Sequence, residues 1–299
     1  MRYVVIAGAT GVGKSDFAIE IALALRTEIV GADAFQIYAG LDLLSGKPSL
    51  AQRRQVQHHL IGDLPLTESC DAHRYATLAR KKIAELNQQS IVPLVVGGTG
   101  FYLEALEQDL PNLPAADPSL RKELELLPTE ALLRQLHQRD PVCWCRIDRS
   151  NRRRIIRALE VCIITGRPFS SFSRNSVKKT TIARVALERS RDELYARINE
   201  RVLNMFANGV IDEVAAITNT SATAEQMIGL RQIRSLLAGE IDQRACIDRI
   251  QQLTRNYAKR QMTWFRNRGY EQRDIRASHT SFVEGLRERL ARLSAESLA

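Results

Sequence analysis

Residues 2–15 read RYVVIAGATGVGKS, an apolar run leading into the pattern G-x-x-x-x-G-K-S over Gly8–Ser15. A strand, a glycine-rich loop and a helix start, in that order, make a cradle for phosphate groups. Gly8 and Gly13 let the backbone curl so that several N–H groups face one anion, and the positive end of the following helix adds to their field. Ala9, Thr10, Gly11 and Val12 fill the loop, Lys14 offers a point charge to the outer phosphates, and Ser15 offers a hydroxyl to a bound Mg2+. The opening run reads as a first strand, not as a secretory leader. The pattern leaves open which phosphate compound binds, and whether its phosphates are kept or discarded.

Outward from the loop, strand-like and helix-like pieces alternate. EIVGAD (28–33) and IVPLVV (91–96) are short apolar runs ending in Asp or Gly-Gly, as buried parallel strands do, with helical patterns at Lys14–Leu25 and Arg74–Leu86. The expected fold is α/β: a P-loop NTPase-like core on a mainly parallel sheet, with ligands at the carboxyl ends of the strands. At PNLPAADPSL (111–120) three prolines break the texture, charged helical stretches follow, and TTIARVALE (180–188) returns as a strand. The expected organisation is thus a core of 1–111 and 180–299 with a helical insertion at 112–179. From Arg191 the pattern is helical, apart from a polar loop near TNTSATAE (218–225).

Composition narrows the function classes. No apolar stretch has the roughly 18 residues that a membrane span needs. Five scattered cysteines show no zinc spacing and read as reduced packing residues of a cytoplasmic protein. Net charge is +9, from 43 basic and 34 acidic residues, which favours a polyanionic partner. The excess is clustered. RSNRRRIIRALEV (149–161) puts Arg149, Arg153 and Arg157 at four-residue steps, and TRNYAKRQMTWFRNR (254–268) holds five basic residues, no acidic ones and three aromatics. On a helix Arg255, Lys259 and Arg266 fall within about 40° of one another. Such stripes suit the phosphates of a folded RNA or DNA.

A nucleotide-splitting enzyme usually pairs the phosphate loop with a metal-holding carboxylate at another strand end. IVPLVV runs instead into GGTGFY; only EIVGAD ends in an acid, Asp33, which suits a metal ligand, a general base or a turn former. In RDELYARINERVLNMF (191–206), Arg197 has Glu193 four residues before it as a surface partner, whereas Arg201 has no acid at either four-residue step and is free to reach an anion.

In order and spacing, GATGVGKS, DAFQIYAGLDL, GKP, HHLIGD, VVGGTGFYLEAL, LPAADPSLR, RIIRALEV with TGRP, RINERVLNMFANGVIDEV and AKRQMTWFR resemble the tRNA dimethylallyltransferase (tRNA isopentenyltransferase) family over most of the chain. The resemblance implies that the loop holds the diphosphate of dimethylallyl diphosphate as a leaving group, and that the five-carbon unit goes to N6 of adenosine 37, next to the anticodon of tRNA. By the same matching Asp33 is the catalytic base, Thr99 sits at the reaction centre and Arg201 binds diphosphate with the Gly8–Ser15 loop, Ser15 holding Mg2+. Ala34, Phe35 and Gln36 meet the flipped adenosine. Arg121, Arg153, Arg154, Arg157, Arg231, Arg255, Lys259 and Arg260 hold the anticodon arm, the last three from C-terminal helices of the core. A cytoplasmic monomer suffices. Departures from the family pattern fall at Ala34 (usually Ser), Leu44-Ser45-Gly46 (usually Gly-Thr-Ala), Ser150-Asn151 (usually N-D-P) and Gln226–Leu230, touching the donor pocket and the RNA contacts. Prenylation of free adenine nucleotides, a P-loop small-molecule kinase and a non-catalytic RNA binder are the alternatives. The basic helices, the missing second carboxylate and the intact Lys14, Asp33 and Arg201 argue against them in turn.

Overall fold

A computed structural model describes residues 1–108, 111, 113–114, 116–172 and 181–296, with side chains to 292. The chain forms two compact units, one of Met1–Glu107 with Lys178–Ala299 and one of Gln108–Val177.

The larger unit is built on a sheet of β1 (Tyr3–Gly8), β2 (Ile29–Gly31), β3 (His58–His59), β4 (Leu94–Gly97), β5 (Thr181–Glu188) and β6 (Glu271–Asp274). Their order is β3-β2-β4-β1-β5-β6, and every pairing is parallel. Every residue of β1 is buried, because both faces of the sheet are covered, as a parallel sheet requires. Alternate residues serve alternate faces. Tyr3, Val5 and Ala7 join the core made with the helix Ala72–Gln88 and the helix Gly100–Glu107. Val4 and Ile6 join the core made with Lys14–Leu25 and the C-terminal helix His279–Glu296. Because all strands point one way, β1, β2 and β4 deliver Gly8, Asp33 and Thr99 toward a common edge, where such sheets bind ligands.

The expected strands at 91–96 and 28–33 are shorter than their apolar runs. Pro93 has no N–H for a ladder, so β4 begins at Leu94, and β2 stops at Gly31. Two further strands escaped the sequence pattern. β3 is two histidines, and β6 is EQRD, an edge strand whose charged residues carry no apolar alternation.

In the smaller unit the helices Pro118–Leu126, Thr129–Arg139 and Arg152–Thr165 bury Leu124, Leu132, Leu136, Ile155 and Leu159 against one another. Asn151 caps the last of these, its side chain accepting from the Arg154 N–H. Arg149 therefore lies before the helix, not on a face shared with Arg153 and Arg157. Its guanidinium instead stacks 4.0 Å above the Trp144 ring.

Candidate active site

The loop Gly8–Ser15 follows β1 directly, and Gly13 takes a left-handed φ of 104° as it caps the helix Lys14–Leu25, a backbone state open to glycine at little cost. The Lys14 ammonium folds back on its own loop, donating to the Ala9 carbonyl at 2.9 Å. Burial lowers its pKa to about 8; the charge of Asp33 opposes that shift and Arg201 adds to it. Two arginines reach the loop from the helix Arg191–Ala207. Arg201 Nη1 donates to Thr10 Oγ1 at 3.2 Å, and Arg197 Nε donates to the Gly11 carbonyl at 3.0 Å. Arg201 is depressed by burial, with Asp33 pulling the other way. The surface pair expected between Arg197 and Glu193 is not the contact formed: Glu193 meets Arg189 and Arg276 instead.

Asp33 stands two residues beyond β2. Its Oδ1 accepts from the N–H groups of Phe35 (3.0 Å) and Gln36 (3.3 Å), so it is a turn former, and the turn fixes which way the carboxylate faces. The ends of β2 and β4 are tied across this point. The Ala34 N–H donates to Thr99 Oγ1 at 3.0 Å, and the Thr99 N–H to the Ala32 carbonyl at 3.2 Å. Ala34 takes part through its backbone alone. Gln36 Nε2 donates to the Gly46 carbonyl at 2.9 Å.

Two cavities meet here. One, of about 320 Å3, is polar and lined by Gly11, Gly13, Lys14, Ser15, Lys47 and Arg197 among others. The second, of about 50 Å3, is walled by Phe35, Leu44, Ile198, Val202, Met205, Ile250 and Tyr257. Thr10, Asp33, Ser45 and Arg201 line both. A cationic chamber and an apolar one thus share a carboxylate and a guanidinium at their junction. Among the described residues no group of three or more His, Cys, Asp and Glu side chains could hold a metal alone. The chamber offers the Ser15 hydroxyl, with Asp16 and Asp33 on the same lining. That suits a hard cation which takes most of its oxygens from phosphate and water.

The profile of IPP transferases matches residues 36–268. This chain belongs to the IPP transferase family. It is 42% identical over 274 residues to a tRNA dimethylallyltransferase of Syntrophobacter fumaroxidans, which covers 88% of this chain and 80% of the relative. It is 36% identical over 285 residues to a tRNA dimethylallyltransferase of Akkermansia muciniphila, which covers 95% and 97%. The crystal structure of the full-length tRNA isopentenylpyrophosphate transferase from Bacillus halodurans superposes with a TM-score of 0.72 at 30% identity, covering 100% of this chain and 99% of that one. A eukaryotic dimethylallyltransferase acting on tRNA gives 0.73 at 26% identity, covering 88% and 69%.

In this IPP transferase the arginine-rich segments divide by task. Within the smaller unit Arg121 and Arg157 both grip Glu160, which is fully buried: Arg121 makes two bonds of 2.9 Å and Arg157 one of 2.6 Å. Burial alone would raise the Glu160 carboxyl; these bonds and the Asp117 N–H hold it below the usual range. These two arginines thus have an internal partner, whereas Arg153 and Arg154 are exposed. On the helix Gln243–Arg266, Arg255 donates to Asn199 at 2.6 Å and Arg266 pairs with Glu188 at 2.9 Å, so the expected stripe is broken. Lys259 and Arg260 face solvent and line a groove with Trp264 and Arg268. Arg231 is 67% exposed, 3.8 Å from Glu225.

Sequence reading missed Arg197, Tyr257 and Gln261. Arg197 was masked by a plausible surface partner. Tyr257 and Gln261 lie inside the basic stripe, where the charged neighbours dominate the pattern.

Proposed function

We infer that this chain is a tRNA prenyltransferase that moves a dimethylallyl group from dimethylallyl diphosphate to N6 of adenosine 37, beside the anticodon, in a cytoplasmic setting. The observation that carries this reading is the pair of Asp33 and Arg201, which line the cationic and the apolar chamber alike. The diphosphate occupies the cationic chamber against the loop, Lys14, Arg197 and Arg201. The five-carbon chain enters the apolar chamber, whose walls of Leu44, Ile198, Val202, Met205 and Ile250 suit a hydrocarbon.

The adenine amine is a weak nucleophile, since its lone pair is delocalised into the ring. Its N6 attacks C1 of the donor while the C1–O bond breaks and the electron pair leaves with diphosphate. Asp33 accepts the N6 proton. The turn that seats Asp33 on the Phe35 and Gln36 N–H groups keeps the carboxylate aimed at the junction. Lys14, Arg197 and Arg201 stabilise the negative charge that gathers on the departing diphosphate. The Ser15 hydroxyl would hold Mg2+, whose charge would further offset that of the leaving group. Thr99 holds the Asp33 turn in place through the Ala34 N–H. An adenosine inside a folded loop must leave its stack to reach this point, and Phe35 offers it an aromatic wall. Arg153, Arg154, Arg231, Lys259 and Arg260 hold the RNA backbone, while Arg121, Arg157 and Arg255 contribute through the side chains they position.

Incubation with dimethylallyl diphosphate, Mg2+ and either unmodified tRNA or AMP, read by mass, tests the reading. The expected product is N6-alkylated adenosine in tRNA only. Product on AMP alone would make the chain a free-nucleotide prenyltransferase, and ATP turnover with neither product would make it a kinase.

A further inference from the structure

The helix Gln243–Arg266 buries one uncharged polar side chain, Gln261, near its C-terminal end. Gln261 is 5% exposed, and it spends both ends of its amide on backbone. Its Oε1 accepts from the Thr10 N–H of the diphosphate loop at 2.9 Å, and its Nε2 donates to the Gly98 carbonyl beyond β4 at 2.7 Å. Thr10 and Gly98 lie in loops 88 residues apart in sequence, on neighbouring parallel strands. Gly98 leaves the space that this amide fills, since a Cβ there would overlap Gln261 Nε2. One turn back, Tyr257 lines the apolar chamber. On the outer side, Lys259 and Arg260 face solvent.

We propose that Gln261 is a positioning residue that sets the diphosphate loop at Thr10 in register with the Gly98–Thr99 turn, and so holds donor and acceptor sites at a productive separation. The inference rests on the diphosphate reading of the loop. Thr10 carries the hydroxyl to which Arg201 is bonded, and Thr99 carries the oxygen that seats the Asp33 turn. A single amide therefore ties together the two loops whose side chains handle the leaving group and the base. A side chain that only filled space would need neither end of the amide.

The test uses the full chain and inorganic pyrophosphate as the probe, with affinity read by calorimetry across pH and tRNA affinity measured in parallel. In Gln261→Glu the ionised carboxylate still accepts from Thr10 but repels the Gly98 carbonyl. The protonated acid accepts and donates as the amide does. Pyrophosphate affinity relative to wild type is expected to be about tenfold weaker at pH 8 and to recover to within about twofold as pH falls and the acid protonates. Gln261→Met, which keeps bulk and loses both bonds, is expected to stay weak at every pH with tRNA affinity unchanged. A pH-independent Glu variant, or a Met variant that binds pyrophosphate like wild type, would overturn the proposal. So would failure of both variants to fold, which would make the residue one of stability alone. Wild-type chain that ignores pyrophosphate would instead sink the diphosphate reading, and this inference with it.

Discussion

At the residue scale, Lys14 shows a site arranged against the stability of its own fold. Its pKa falls from the usual 10.5 to about 8, so the folded chain holds this proton less well than the unfolded chain does. Below pH 8 both states carry the ammonium and the burial cost is present in full, about 3 kcal/mol for a shift of this size. Between pH 8 and 10.5 the folded state releases the proton first and stability rises; above that range the cost is gone. Lys14→Met is therefore expected to raise the melting temperature by several degrees at pH 7 while removing pyrophosphate binding. A melting temperature that falls would contradict the burial cost. In the wild type, pyrophosphate affinity should weaken as pH passes above 8, because the bound form needs the ammonium charged. Asp33 gives the complementary case. Asp33→Ala should abolish alkylation at saturating donor and keep tRNA affinity within about twofold, as a lost proton acceptor does; retained turnover would take the base role from it.

At the element scale, the short helix Asp42–Ser45 shows how backbone placement governs a distant side chain. Glu213 receives the N–H groups of Leu43 (2.9 Å) and Leu44 (3.0 Å), satisfying two of the donors that a helix start leaves unpaired. Lys47 is held under the same turn by Asp42 at 2.5 Å. The helix ends in Gly46 at φ 61°, and a Cβ there would overlap the Arg201 guanidinium. Glycine at this position leaves room for Arg201. Gly46→Ala should leave the chain folded, because the guanidinium can swing aside, at a cost of about 1 kcal/mol for the left-handed backbone. It should weaken pyrophosphate binding several-fold, the direction also expected of Arg201→Ala; affinity equal to wild type would show that Arg201 does not need this space.

On the scale of the whole molecule, positive charge is divided between a cavity lining and an exposed surface. The cationic chamber is lined by Lys14, Arg197 and Arg201, while Lys259 and Arg260 are exposed on the helix that carries Gln261. The double change Lys259→Glu and Arg260→Glu should weaken tRNA binding at least tenfold and flatten its salt dependence, with pyrophosphate affinity unchanged. Equal losses for both ligands would mean that the outer surface serves no separate purpose. No helix among the described residues is long and apolar enough to cross a membrane.

Much of this molecule was legible in one dimension because its deciding signals are local. The phosphate loop needs its glycines, lysine and serine within eight residues, and the buried strands β1 and β5 announce themselves as apolar runs, since a sheet covered on both faces leaves them no polar side. Asp33, Thr99 and Arg201 stand in motifs visible in the sequence; the fold puts Asp33 and Arg201 on the lining of both chambers and Thr99 behind the Asp33 turn, bonded to the Ala34 N–H. The sequence by itself determined that a phosphate cradle sits on a parallel α/β sheet. What only the tertiary structure decided is which polar groups are spent on one another. Glu160 claims Arg121 and Arg157, Asn199 claims Arg255, the loop claims Arg197, and Gln261 spans two loops that no spacing rule connects. An unbroken run of arginines looks the same on paper whether its charges are free or taken. Pairing depends on which segments from elsewhere in the chain arrive beside it, and that arrival is fixed by packing of the core, far from the residues whose fate it decides.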